Sequence, residues 1–147
     1  MSLQDAQTLL SDEQAITATA FSSNAYDTGN VVGGRNLGRT FADLRAVTTI
    51  DAAFNNLTSL TVEIGHADDA AGTGFVALAS SGAVTLANLN AARKPFDIPM
   101  PDSTKRFIMA RYTVAGTAPT TGKVTTSLQI GSDFQRAYPS GAQVPAY

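Results

Sequence analysis

Two stretches of alternating apolar and polar residues in the C-terminal half set the pattern of this chain. In KVTTSLQI, Val124, Thr126, Leu128 and Ile130 fall on one side, and Lys123, Thr125, Ser127 and Gln129 on the other. Side chains of a strand alternate between faces, so a period of two marks a sheet with one buried and one wet face. The preceding limb, FIMARYTVAG, puts Ile108, Ala110, Tyr112 and Val114 on one face and leaves Phe107 and Met109 on the wet one. With TAPTTG between them, the two limbs predict a central β-hairpin over 105–131, its outer face partly covered. Phe107 and Met109 then form either a second core layer beneath a loop or a contact between copies of the chain.

The remaining segments keep the same rhythm. Residues 1–14 read as a polar arm with a small apolar knot at Leu9 and Leu10. Ser11 and Gln14 have capping-box spacing, but the AITATA that follows is β-branched and alternating, so 14–20 predicts a strand with Ile16, Ala18 and Ala20 inward. TGNVVGGRNLGRTF, with four glycines between Gly29 and Gly38, reads as a long excursion of the kind that is functional or partner-bound. Strands are predicted over 44–50 and 57–66, the second with Leu60, Val62 and Ile64 alternating with Ser59, Thr61 and Glu63. Residues 51–56 connect them and are compatible with a helical turn. ADDAAGTG predicts a turn, then a short strand over 75–79, a Ser-Ser-Gly turn and another strand over 84–86. The prolines of LNAARKPFDIPMP restrict that segment to an edge strand over 96–98. The tail over 132–147 carries Phe134, Tyr138 and Tyr147, aromatics on an extended segment that call for a docking surface. The sum is one all-β domain over 1–147, a β-sandwich or jelly roll of about eight antiparallel strands with extended N- and C-terminal arms.

Composition narrows the function. Charged residues make up 15% of the chain, against about 25% in an ordinary globular protein, which suggests a surface covered in part by neighbours. Ten Lys and Arg against twelve Asp and Glu leave no basic run, so no nucleic-acid partner is expected. The absence of cysteine excludes disulfides and thiolate metal sites. The start MSLQDAQTLLSDEQ lacks a secretory signal, and no apolar run approaches the ~20 residues of a membrane span, so a soluble protein with no membrane partner is expected.

Catalytic chemistry finds little support. His66 is the single histidine, followed by Asp68 and Asp69, whereas a metal site or a general base needs several converging groups. A strand end running into a solvated acidic turn is the simpler expectation. No G-x-S-x-G occurs, and no spacing pairs Glu13 and Glu63, the two glutamates. GGRNLGR lacks the Lys-Ser/Thr end of a phosphate-binding loop, so Arg35 and Arg39 read as cations for carboxylates either of the chain itself or, as the favoured reading, of a partner. Asn56-Leu57-Thr58 fits the glycosylation pattern, which without a secretory signal is a chance match. The expectation is a non-enzyme without cofactor or metal.

LLSDEQAITATAFSSNAYDTG at the start, RFIMARYTVAGTAPTTGKVTTSLQIG later and QRAYPSG in the tail carry a resemblance. Together they resemble the small jelly-roll capsid cement (decoration) proteins of tailed bacteriophages; the R-Y-x-V-x-G limb, the Thr/Gly-rich loop and G-K-V-T are the most telling part. The resemblance implies a virion structural protein, made in the host cytoplasm, that forms homodimers or homotrimers on the outer capsid surface. There it would bridge capsomers of the major capsid protein, with no catalytic residues carried over. The candidates for capsid or oligomer contact are Leu9, Leu10, Arg35, Arg39, Phe107, Met109, Phe134 and Tyr138. A carbohydrate- or receptor-binding sandwich on a virion is the alternative; it would want an aromatic platform, and the chain has no Trp and only scattered Tyr26, Tyr112, Tyr138 and Tyr147.

Overall fold

A computed structural model describes residues 6–29 and 44–130. Its strands are β1 (Leu9–Ala15), β2 (Ala20–Phe21), β3 (Tyr26–Asp27), β4 (Leu44–Ala52), β5 (Leu57–Ala67), β6 (Val76–Thr85), β7 (Phe96–Pro99), β8 (Phe107–Gly116) and β9 (Lys123–Ile130). They form two antiparallel sheets. One has the order β1–β9–β4–β7; the other runs β2–β8–β5–β6, with β3 also on β8.

β2 and β3 are one strand interrupted by a bulge. Phe21 faces Arg111 and Tyr26 faces Ile108, so five steps along one strand oppose three along the other. Ser22 fills the break: its N–H bonds to Ala110 O at 2.8 Å, and Ala110 N–H donates to Ser22 Oγ at 3.0 Å. Bulges of this kind bend an edge strand, here toward the other sheet, where Asn24 N–H reaches Leu10 O at 2.9 Å. Counted so, eight strands make two four-stranded layers, and the chain changes layer at every connection except β5–β6. This is a jelly roll, as expected.

Four expectations need correction. The two limbs around TAPTTG are strands, but they are not a hairpin: β8 pairs β5, whereas β9 pairs β1 and β4 in the other sheet. Residues 117–122 are long enough to cross the ~10 Å between packed sheets, and strand alternation is identical whichever neighbour a strand takes. The first strand comes earlier than expected. β1 begins at Leu9, so residues 9–14 are sheet and not arm, and 16–19 turn toward β2. The Ser-Ser-Gly sequence is a bulge within one ten-residue strand. Gly82 adopts φ +69°, and Ser81 Oγ replaces a carbonyl as acceptor for Val62 N–H at 3.0 Å. The one helical turn described is the 3₁₀ segment Leu86–Asn88, while β4 continues through Ala52 where a helical turn seemed compatible.

The core lies between the sheets. Leu10, Ile16, Ile50, Leu60, Val62, Ile64, Leu89, Ile108 and Val124 are fully buried. Among them runs a polar thread. Tyr112 Oη lies 2.7 Å from Ser11 Oγ and 2.7 Å from Thr126 Oγ1, and Thr126 lies 2.7 Å from Thr48 Oγ1. Ser11 in turn donates to Gln14 Oε1 at 2.7 Å. Buried hydroxyls are costly unless partnered, and here each has a partner.

Candidate functional site

The connection 100–106, between β7 and β8, lies at one end of the sandwich and is bonded to β4, to β5, to the β5–β6 turn and to the end of β3. Met100 N–H donates to Leu44 O at 2.7 Å, at the start of β4. Thr104 N–H donates to His66 Nδ1 at 3.1 Å, at the end of β5. Lys105 Nζ bonds Asp68 Oδ2 at 3.1 Å and Gly74 O at 2.6 Å, tying down the β5–β6 turn. Arg106 O accepts from Thr28 N–H at 2.9 Å and from Thr28 Oγ1 at 2.7 Å. The Arg106 guanidinium meets the Asp27 carboxylate with two 2.7 Å bonds and lies 5.1 Å from the centre of the Phe107 ring.

Electrostatics follow from these pairings. The Arg106 fork, helped by Gly29 N–H at 2.9 Å, holds the Asp27 carboxyl down to about 2. Asp69 is lowered by Thr73, with Ala71 and Gly72 N–H groups adding to it, so this acid serves its own turn. Burial, then Lys105, push the His66 imidazole below 6.5, while Asp68 works the other way. β5 runs into an exposed turn carrying Asp68 and Asp69, as expected, but the His66 ring does not share that exposure. It is buried, and Nδ1 is occupied by a backbone donor. Among the described residues no three His, Asp or Glu side chains converge as metal ligands would, and no helix is long and apolar enough to cross a membrane.

Leu9, Gly29, Leu44 and Ile130 all sit at this same end, since Leu9 pairs Ser127, Leu44 pairs Ile130, and Thr28 is bonded to Arg106. Residues 1–5, 30–43 and 131–147 thus attach to the sandwich at a single end. The opposite end is closed by the short loops 16–19, 53–56 and 117–122 and by the longer connection 86–95, whose Arg93 O accepts Ile50 N–H at 2.8 Å. There Asn55 Oδ1 accepts Thr120 and Thr121 N–H at 2.8 and 3.0 Å, and Ile16 N–H reaches Gly122 O at 3.2 Å.

The contact candidates divide into three groups. Arg35, Arg39, Phe134 and Tyr138 lie outside the described residues. Leu9 and Phe107 are half-buried at the end that carries the 100–106 connection. Leu10 and Met109 are corrected, since both are fully buried. Leu10 belongs to the main core. Met109 faces Gly65 on the outer side of the β8 sheet, where a second layer has formed. The Phe75 ring lies over Gly65, edge-on to Phe21 at 5.2 Å, with the Arg111 guanidinium 4.9 Å from its centre and held by Glu63. Of the two options left open for Met109, the layer beneath a loop is the one that formed. Asp27 and Arg106, 79 residues apart, were not singled out from the sequence, and nothing local couples them.

A jelly-roll sandwich with one end gathered by a single connection is the class of molecule these features define. The Bbp16 family model matches residues 10–128, and the chain belongs to that family. No curated protein matches the chain.

Proposed function

We propose that this protein is a capsid cement (decoration) protein, seated on the outer surface of a tailed-phage head across boundaries between capsomers of the major capsid protein. The observation that carries the reading is the single end at which residues 1–5, 30–43 and 131–147 join the sandwich. A body joined that way can reach more than one neighbour from one seat. Its stiffness comes from two sheets tied by the Ser11–Tyr112–Thr126–Thr48 thread. The low charge and the sequence resemblance support the same reading.

The mechanism is mechanical. Packing loads a shell from within, and capsomer boundaries are where it would part. A rigid domain across a boundary adds contacts that exist only while the shell is closed, and repetition over many copies multiplies a modest energy per site. Self-association into a dimer or trimer would link neighbouring seats.

The test is binding of the purified chain to purified heads stripped of their outer proteins, with its mass in solution measured alongside. Saturable co-sedimentation, lost on deleting 134–147, is expected. No binding to heads, together with binding to glycans, would replace this reading with the carbohydrate-binding one. Tyr112 lies in the core, so it is unavailable to a glycan platform.

A further inference from the structure

His66 has no part in the proposed function, yet it sits at the centre of the gathered end. It closes β5 between Val76 of β6 and Ile108 of β8, with 6% of its surface exposed. Its Nδ1 accepts Thr104 N–H. A ring nitrogen that accepts carries no proton, so the imidazole is neutral with its hydrogen on Nε2. A second proton would set one N–H against another and leave the Thr104 donor without an acceptor. Thr104 stands between Met100, bonded to Leu44, and Lys105, which pins Asp68 and Gly74.

We infer that His66 is an acid-sensitive latch: protonation of its ring releases residues 100–106 from β5 and loosens the 68–74 turn that Lys105 holds. The surrounding charges keep the latch closed at neutral pH. Burial disfavours the imidazolium first and Lys105 second; Asp68, already bound by Lys105, opposes them more weakly. Asp69 is engaged by its own turn, and Asp102, on the same connection as Thr104, is engaged as well. β6 carries no charge; Arg106, just before β8, and Arg111, on it, are held by Asp27 and Glu63. The folded ring therefore resists protonation more than an unfolded one does. Its contribution is complete above 6.5 and is lost as pH falls below that value. The inference stands whether or not the protein is a cement protein.

Hydrogen exchange of the whole chain between about pH 7.5 and about pH 5, corrected for intrinsic rates, tests it. In the native protein, protection of the Thr104 amide and of the 68–74 turn is expected to fall about tenfold per pH unit once the ring titrates. In His66→Asn, whose Oδ1 takes the acceptor position without titrating, protection should not change with pH. Flat protection in the native protein overturns the latch, as does an equal acid loss in the variant. Imidazole NMR shifts of the native protein provide a second reading that needs no variant. A neutral ring protonated at Nε2 and titrating below 6.5 supports the inference, and a titration at or above 6.5 overturns it.

Discussion

Tyr112 Oη and Thr126 Oγ1 meet at 2.7 Å, joining a strand of one sheet to a strand of the other through side chains alone. Tyr112→Phe keeps the ring and removes this tie. Ser11 retains Gln14 and Thr126 retains Thr48, so no hydroxyl is stranded. The expected loss is about 1 kcal/mol, near the net worth of one buried hydrogen bond, measured by urea unfolding. A double cycle with Thr126→Val should give a coupling of at least about 0.5 kcal/mol; strict additivity would mean the contact contributes nothing.

The same hydroxyl makes the protein alkali-sensitive. Burial raises the Tyr112 phenol from 10.0 to about 12, against the smaller opposing effect of its hydrogen bonds. An unfolded tyrosine ionises first, so stability is unaffected below 10 and falls as pH rises from there toward 12. The full loss is on the order of 3 kcal/mol. Tyr112→Phe should flatten this slope, and an unchanged slope would assign it to other groups.

Gly65 is required by close approach, since its φ is ordinary. A Cβ there would run into Val76 O and come within 2.6 Å of the Phe75 ring. Gly65→Ala should cost about 2–3 kcal/mol by overpacking, read as a lower urea midpoint with an unchanged slope. A neutral outcome would show that the outer layer is soft.

Met109 and Phe107, two residues apart on one face, should behave differently. Met109→Ala opens a cavity at a fully buried position and should cost about 2–5 kcal/mol. Phe107→Ala removes a half-buried ring and should cost clearly less, while weakening any contact that this end of the sandwich makes. Equal losses would contradict the burial seen here.

Asp27 should titrate near 2 by carboxyl NMR, and Arg106→Gln should move it back toward 3.8. A midpoint that ignores the substitution would show that the fork is open in solution.

Much of the fold was legible along the chain. Of the inward set read from alternation, Ile108, Ala110, Tyr112, Val124, Thr126 and Leu128 are buried, Val114 is half-buried, and the side chain of Ile130 lies outside what the structure describes. Leu60, Val62 and Ile64 were equally plain, and 96–98 emerged as an edge strand because prolines confine it there. The hairpin error has a plain cause. Alternation reports which face a side chain takes and carries no trace of the neighbouring strand, so β8 and β9 read as a hairpin. Phe107 and Met109 could not be separated by it either, because alternation puts both on one face and only Met109 is fully buried there.

By itself the sequence determined an all-β chain, the positions of most strands, their inward faces and a shortage of charge, because these depend on local period and composition. The tertiary structure alone decided that β8 and β9 lie in opposite sheets. It also decided that Tyr112 finds Ser11 and Thr126, that Asp27 finds Arg106, and that the connection 100–106 gathers one end of the sandwich. Those are meetings between residues far apart in the chain, set by which strands pair and how two sheets stack, and no local pattern encodes them.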